Sequence, residues 1–283
     1  LDVEIDEENG LPTQKGANFF FFFWGELLPA LEKSYRVAPY KIIAGHDLTA
    51  GYINLFLYKE NPLFDAYICM SPEYSTEMES RLLNQFKLIK KPIFYYHCTA
   101  DGDPKKIQQK ILAFHDQAKL INSDQLKYVF DRFDNASHYS LVLYAIPNVL
   151  YQIFGQYQPI STAEFQDKIV TLPSGYVDYL SKKYDIIEKS FGIKMPIRYS
   201  DFKAIEAAIL KNEAWPEFRQ LSDLAKKSYP KAMLSNYQLG TYYEKTGDFK
   251  KAYKAFQIAY TQEEIGNLTK DFMLEKADSM KSK

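Results

Sequence analysis

The chain has 283 residues, 46% of them hydrophobic and 16% aromatic, which is enough for one large or two modest domains with their own cores. A formal net charge of −1 leaves no electrostatic footprint for nucleic acid or another polyanion. The two cysteines, Cys69 and Cys98, sit in apolar runs without metal-ligand spacing or a disulfide framework, and read as buried free thiols.

The opening residues, Leu1 to Asp6, are acidic and lack an apolar segment, so no signal peptide is read there and the compartment, cytoplasmic or periplasmic, stays open. FFFFFW (Phe19 to Trp24) is far too short to span a bilayer and reads as the buried start of a helix over 18–35. Strands follow at 40–45, 66–70, 92–98 and 126–133, alternating with helices at 48–59, 77–88, 104–120 and 139–154. The strands are short, β-branched or aromatic, and apolar almost throughout, as strands covered on both faces are. Strands alternating with helices predict an α/β fold with a parallel sheet and right-handed crossovers.

GQYQPISTAEF (Gly155 to Phe165) breaks this rhythm, so an α/β domain is expected over 1–157 and an all-helical region over 158–283. Amphipathic helices are expected at 176–192, 199–212 and 215–230. NYQLGTYYEKTGDFKKAYKAFQIAY (Asn236 to Tyr260), within about 233–262, resembles a tetratricopeptide repeat. Gly240 and Tyr243 fall in its first helix, Gly247-Asp248-Phe249 in the turn, and Ala252, Phe256 and Ala259 in the second helix, where small residues let paired helices approach. The resemblance implies a possible protein partner for this region.

Gly45-His46-Asp47-Leu48-Thr49-Ala50 lies between a strand and a helix, the place of a nucleophile elbow. It follows ELLPALEKSYR (Glu26 to Arg36) and precedes FDAYICMSP (Phe64 to Pro72), in an order and spacing that resemble the esterase branch of the α/β-hydrolases, the group of esterase D-type and enterobactin-type siderophore esterases. The resemblance runs over roughly 18–154, about half of the chain, and implies a small ester-like substrate; the sequence itself shows no metal or cofactor motif and no membrane span. The resemblance assigns the base to His138, which opens DNASHYSLVLYAIPNVLYQIF after the last strand. It places the acid in the loop after the third strand, where Asp101 and Asp103 stand, and Asp101 is the candidate. Gly45 and His46 support the elbow, and the Leu48 backbone N–H is a candidate oxyanion donor. His97, within a strand, reads as a core residue, and His115 as a surface residue of a helix.

The departure is Asp47, where the family carries serine. A hydroxyl needs a base to activate it and a carboxylate does not. One reading makes Asp47 itself a nucleophile; in HDWG-type α/β-hydrolases an aspartate at the elbow attacks a saturated carbon, although Leu48 replaces their tryptophan. Another makes the chain a non-catalytic pseudo-hydrolase that binds a ligand or a partner. A third is an esterase using another hydroxyl, with Ser137 and Ser140 flanking His138. Thr49, where the elbow usually has its second glycine, is small enough for the turn at some cost of strain. The N-terminal strands of the fold are not found in this sequence, which reads as part of a longer protein.

Overall fold

The computed structural model describes residues 3–281. Two compact units are formed, one reaching to Gly155 and taking in Ser190–Ile193, the other made of Gln156–Lys189 and the residues from Lys194 onward.

The first unit begins with helix α1 (Gln14–Phe22), whose N-terminus is capped by Thr13 accepting from the Gly16 N–H. A π-helical turn, Phe23–Leu27, joins it to α2 (Leu28–Ser34). Then come β1 (Ile42–His46), α3 (Leu48–Ile53) with a 3₁₀ continuation over Asn54–Tyr58, β2 (Ala66–Met70), α4 (Met78–Leu88), β3 (Ile93–Gly102), α5 (Lys105–Ala118), β4 (Leu126–Ser137) and α6 (Leu141–Phe154). The four strands form one parallel sheet in the order β1-β2-β3-β4, with register pairs such as Gly45↔Cys69 and Cys69↔His97. Every residue of β2 is buried, as an interior parallel strand requires, and both cysteines are buried and free.

Two sequence expectations are corrected here. The phenylalanine run is not wholly buried: Phe19, Phe20 and Phe23 pack on the core, while Phe21 and Trp24 are more than half exposed. Consecutive residues point about 100° apart around a helix, so a run of five cannot all face one side. β3 and β4 also extend further than their apolar runs, to a pairing of Gly102 with Ser137 across a register shift. Polar residues occupy those extensions because they lie at the end of the sheet that carries the site.

The second unit has no strand beyond isolated bridges among its described residues. It contains the short α7 (Thr162–Glu164), a π-helical turn over Phe165–Ile169, α8 (Tyr176–Phe191, whose last residues belong to the first unit), α9 (Tyr199–Lys211), α10 (Glu217–Ser228), α11 (Leu234–Lys245), α12 (Phe249–Tyr260) and α13 (Lys270–Lys281). The Glu217 carboxylate accepts from the Gly175 and Val177 N–H groups at the start of α8, where a negative charge meets the helix dipole favourably. Helix α10 packs on α11, α11 on α12 and α12 on α13. A Cβ on Gly240 would come within 2.6 Å of the Phe256 ring, so only glycine permits this closeness between α11 and α12. No helix among the described residues is long and apolar enough to cross a membrane.

Candidate functional site

Asp47 stands between β1 and α3 with φ 58° and ψ −123°, a conformation that glycine adopts freely and other residues rarely do. Its backbone is tied on both sides. The Asp47 N–H donates to the Met70 carbonyl at 3.0 Å, and its carbonyl accepts from Gly51 and Glu73 at 3.1 Å each. Two glycines make the turn possible. A Cβ on Gly45 would lie 2.7 Å from backbone atoms of Thr49 and Ala50, and one on Gly51 would lie 2.0 Å from the Glu73 carbonyl. Thr49 braces the elbow it enters: its hydroxyl accepts from the His46 N–H at 3.0 Å and donates to the His46 carbonyl at 2.7 Å.

His138 follows β4, in a turn held by mutual bonds between Ser137 and Ser140, whose hydroxyls each accept from the other residue's N–H. Its Nε2 lies 3.7 Å from Asp47 Oδ1, beyond a direct hydrogen bond but close enough to share one water or substrate group. The His46 ring reaches the same loop, donating from Nε2 to the His138 carbonyl at 2.9 Å.

The carboxylate on His138 is Asp103, whose Oδ1 accepts from Nδ1 at 2.7 Å. Asp101 is elsewhere: it pairs with Arg132 at 2.8 Å on the exposed surface. The reason is the register shift at the end of β3, which leaves Asp101 facing the neighbouring strand and turns Asp103 under the histidine. Gly102 permits this crossing, since a Cβ there would meet the Ser137 Cα at 2.7 Å. Asp103 is completely buried and accepts from three further donors: the hydroxyls of Ser71 and Thr99 and the Ala100 N–H. Burial pushes its carboxyl pKa up, but the bonds from Thr99, Ala100, Ser71 and His138 outweigh that and hold it below the usual range. Asp103 is therefore an anion that can only accept. The His138 Nδ1 therefore donates its proton to Asp103, which leaves Nε2 as the ring nitrogen that faces Asp47.

The structure brings Asp47, His138, Gly45, His46 and Leu48 to one place, and it sets Asp103 rather than the chosen Asp101 on His138, with Ser71 and Thr99, which the sequence did not single out, bonded to it. A signal existed in the polar Thr99 ending an otherwise apolar strand, with Gly102 just before Asp103. Ser137 and Ser140 bond each other, so their hydroxyls are spent on the turn. His97 is buried, bonded through Nδ1 to Tyr74 and through Nε2 to Tyr128. His115 is only partly exposed, stacked 4.0 Å from the Phe130 ring and bonded to Tyr128. Among the described residues no cluster of three or more His, Cys, Asp or Glu side chains has metal-binding geometry.

No protein-family model matches this chain, and no curated protein matches it. Among solved structures it is similar over its whole length to an uncharacterised protein from Capnocytophaga ochracea DSM 7271, at 29% identity and a TM-score of 0.87, covering 79% of that chain. It is also similar to an IroE-like serine hydrolase from Shewanella oneidensis, at 16% identity and a TM-score of 0.55, over 79% of this chain and 73% of that one. These similarities show the fold, an α/β architecture.

Proposed function

We propose that this chain is a hydrolase that works through Asp47, His138 and Asp103, with Asp47 as the nucleophile in place of serine. The observation that carries the reading is the orientation of His138: its basic nitrogen faces a carboxylate, which needs no base, so the proton it takes must come from a third group. Water is that group. A carboxylate oxygen of Asp47 attacks a saturated carbon bearing a leaving group, the C–O bond forms, and the leaving group departs with its electron pair. His138 Nε2 then takes a proton from water, and the hydroxide adds to the Asp47 ester carbonyl. Collapse expels the alkoxide, which takes the proton back from His138 and leaves as the alcohol, and the carboxylic acid left on Asp47 gives up its own proton to the first leaving group or to solvent, which restores the carboxylate. Epoxides and activated alkyl compounds fit this sequence; carboxylic esters do not, since acyl transfer to a carboxylate gives an anhydride. The retained strain at Asp47 supports it, because such conformations cost of order 1–3 kcal/mol and cluster at working sites.

A second reading is a non-catalytic pseudo-hydrolase, supported by the loss of a hydroxyl at the elbow. The residues around Asp47 and His138 would hold an ester-like ligand, and the helices over 233–262, TPR-like in the tight Gly240–Phe256 contact, would bind a protein partner. A hydrolysis panel of epoxides, alkyl halides, aryl esters and thioesters, run with Asp47→Asn and His138→Ala, separates the two. Turnover of an epoxide or halide that both substitutions abolish supports the first. No turnover, with ester hydrolysis appearing only in Asp47→Ser, supports the second.

A further inference from the structure

Ser71 follows β2, in the FDAYICMSP stretch whose function the reaction above leaves unused. It is completely buried, at φ 45°, and is followed by Pro72. A left-handed serine is uncommon, and it persists only where the surroundings over-determine it. Those surroundings are specific. The Ser71 N–H donates to the Cys98 carbonyl at 3.0 Å, and its hydroxyl lies 2.8 and 2.7 Å from the two oxygens of Asp103. The residue before it, Met70, accepts the Asp47 N–H, and Glu73 beyond it donates to the Asp47 carbonyl. The four residues from Met70 to Glu73 therefore grip the backbone of the elbow on one side and the buried acid on the other.

The geometry points to Ser71 as a positioning residue that couples the elbow carrying Asp47 to the acid that orients His138. Its left-handed turn sets the two backbone bonds that hold Asp47 in its strained conformation. Its hydroxyl fixes the rotation of the Asp103 carboxylate and withdraws part of that anion's basicity from the bond to His138. The coupling is a statement about the site as built; its kinetic consequence rests on the proposed reaction.

Ser71→Gly isolates the hydroxyl, because glycine accepts φ 45° without steric cost. The protein is labelled with ¹⁵N-histidine, and the His138 signals are assigned by their loss in His138→Gln. With the Ser71 donor removed, Asp103 becomes the stronger acceptor, so the proton that His138 Nδ1 donates to it is expected at lower field than in the wild type. Ser71→Ala is expected to show the same displacement with lower thermal stability, because it keeps the strained turn. A merely structural role would lower stability without moving that proton. A His138 spectrum in a folded Ser71→Gly that coincides with the wild type overturns the proposal. In an Asp47-dependent assay, Ser71→Gly is expected to lower kcat by on the order of tenfold or more with KM unchanged. Failure of all hydrolysis refutes the reaction, while the spectrum still decides Ser71.

Discussion

Replacing Asp47 with glycine should make the protein more stable. At φ 58° and ψ −123° a side-chain-bearing residue pays of order 1–3 kcal/mol, which glycine does not pay. Glycine costs about 0.5–1 kcal/mol through the greater freedom of its unfolded chain. The three backbone bonds of Asp47, to Met70, Gly51 and Glu73, are kept in the variant. The side chain's contact with His138 is 3.7 Å long and the carboxylate is 40% exposed, so losing it costs less than about 1 kcal/mol. The balance is a gain of about 1 kcal/mol, or roughly 2–4 °C in the melting temperature of a unit of this size. Differential scanning calorimetry of wild type, Asp47→Gly and Asp47→Ala measures it. The alanine variant removes the carboxylate but not the strain, so it should melt at or slightly below the wild type. An Asp47→Gly protein that melts no higher than Asp47→Ala would refute the claim that this position stores strain.

Other expected outcomes follow from the same contacts. Gly51→Ala drives a Cβ into the Glu73 carbonyl at 2.0 Å and should cost about 1–3 kcal/mol in urea unfolding; unchanged stability would mean the elbow yields more easily than its packing implies. His97 has its pKa lowered to about 3, first by burial and then by the neighbouring His115. Above pH 6.5 both folded and unfolded states leave it neutral; between 6.5 and 3 only the unfolded state takes the proton, so folding weakens as pH falls through that window, by up to about 1.4 kcal/mol per pH unit. The slope of stability from pH 6 to 4 should therefore be steeper in wild type than in His97→Gln, and equal slopes would contradict it. Asp248 caps α12 by accepting from the Lys251 N–H at 3.1 Å, so Asp248→Ala should cost about 1 kcal/mol in the stability of the helical unit, read by thermal denaturation.

The alternation of apolar strands with helices, and the Gly45–Asp47 turn between the first pair, were legible because burial on both faces and a tight strand-to-helix turn leave local residue patterns. His138 was legible for the same reason: it sits between the last strand and its helix. The acid was not. Asp101 lies near the end of β3 and Asp103 just beyond it, and which of them meets His138 is decided by the register shift opposite Ser137 and by Arg132 on the neighbouring strand, neither of which a linear pattern records. The hydroxyls of Ser71 and Thr99 escaped notice because their partner, Asp103, is 32 and 4 residues away and only the folded sheet ends bring all three together. The half-exposed phenylalanine run was misread because composition reports apolarity without direction around the helix.

The central claim is that Asp47 takes the substrate's carbon and His138 directs the water that frees it. It is tested most directly by the intact mass of His138→Gln after incubation with a substrate that the wild type turns over. Without its base the variant should stop halfway, gaining the mass of one alkyl group, and peptide mapping should place that group on Asp47. An unmodified His138→Gln protein that has lost turnover, or a group mapped to any other residue, would contradict the account.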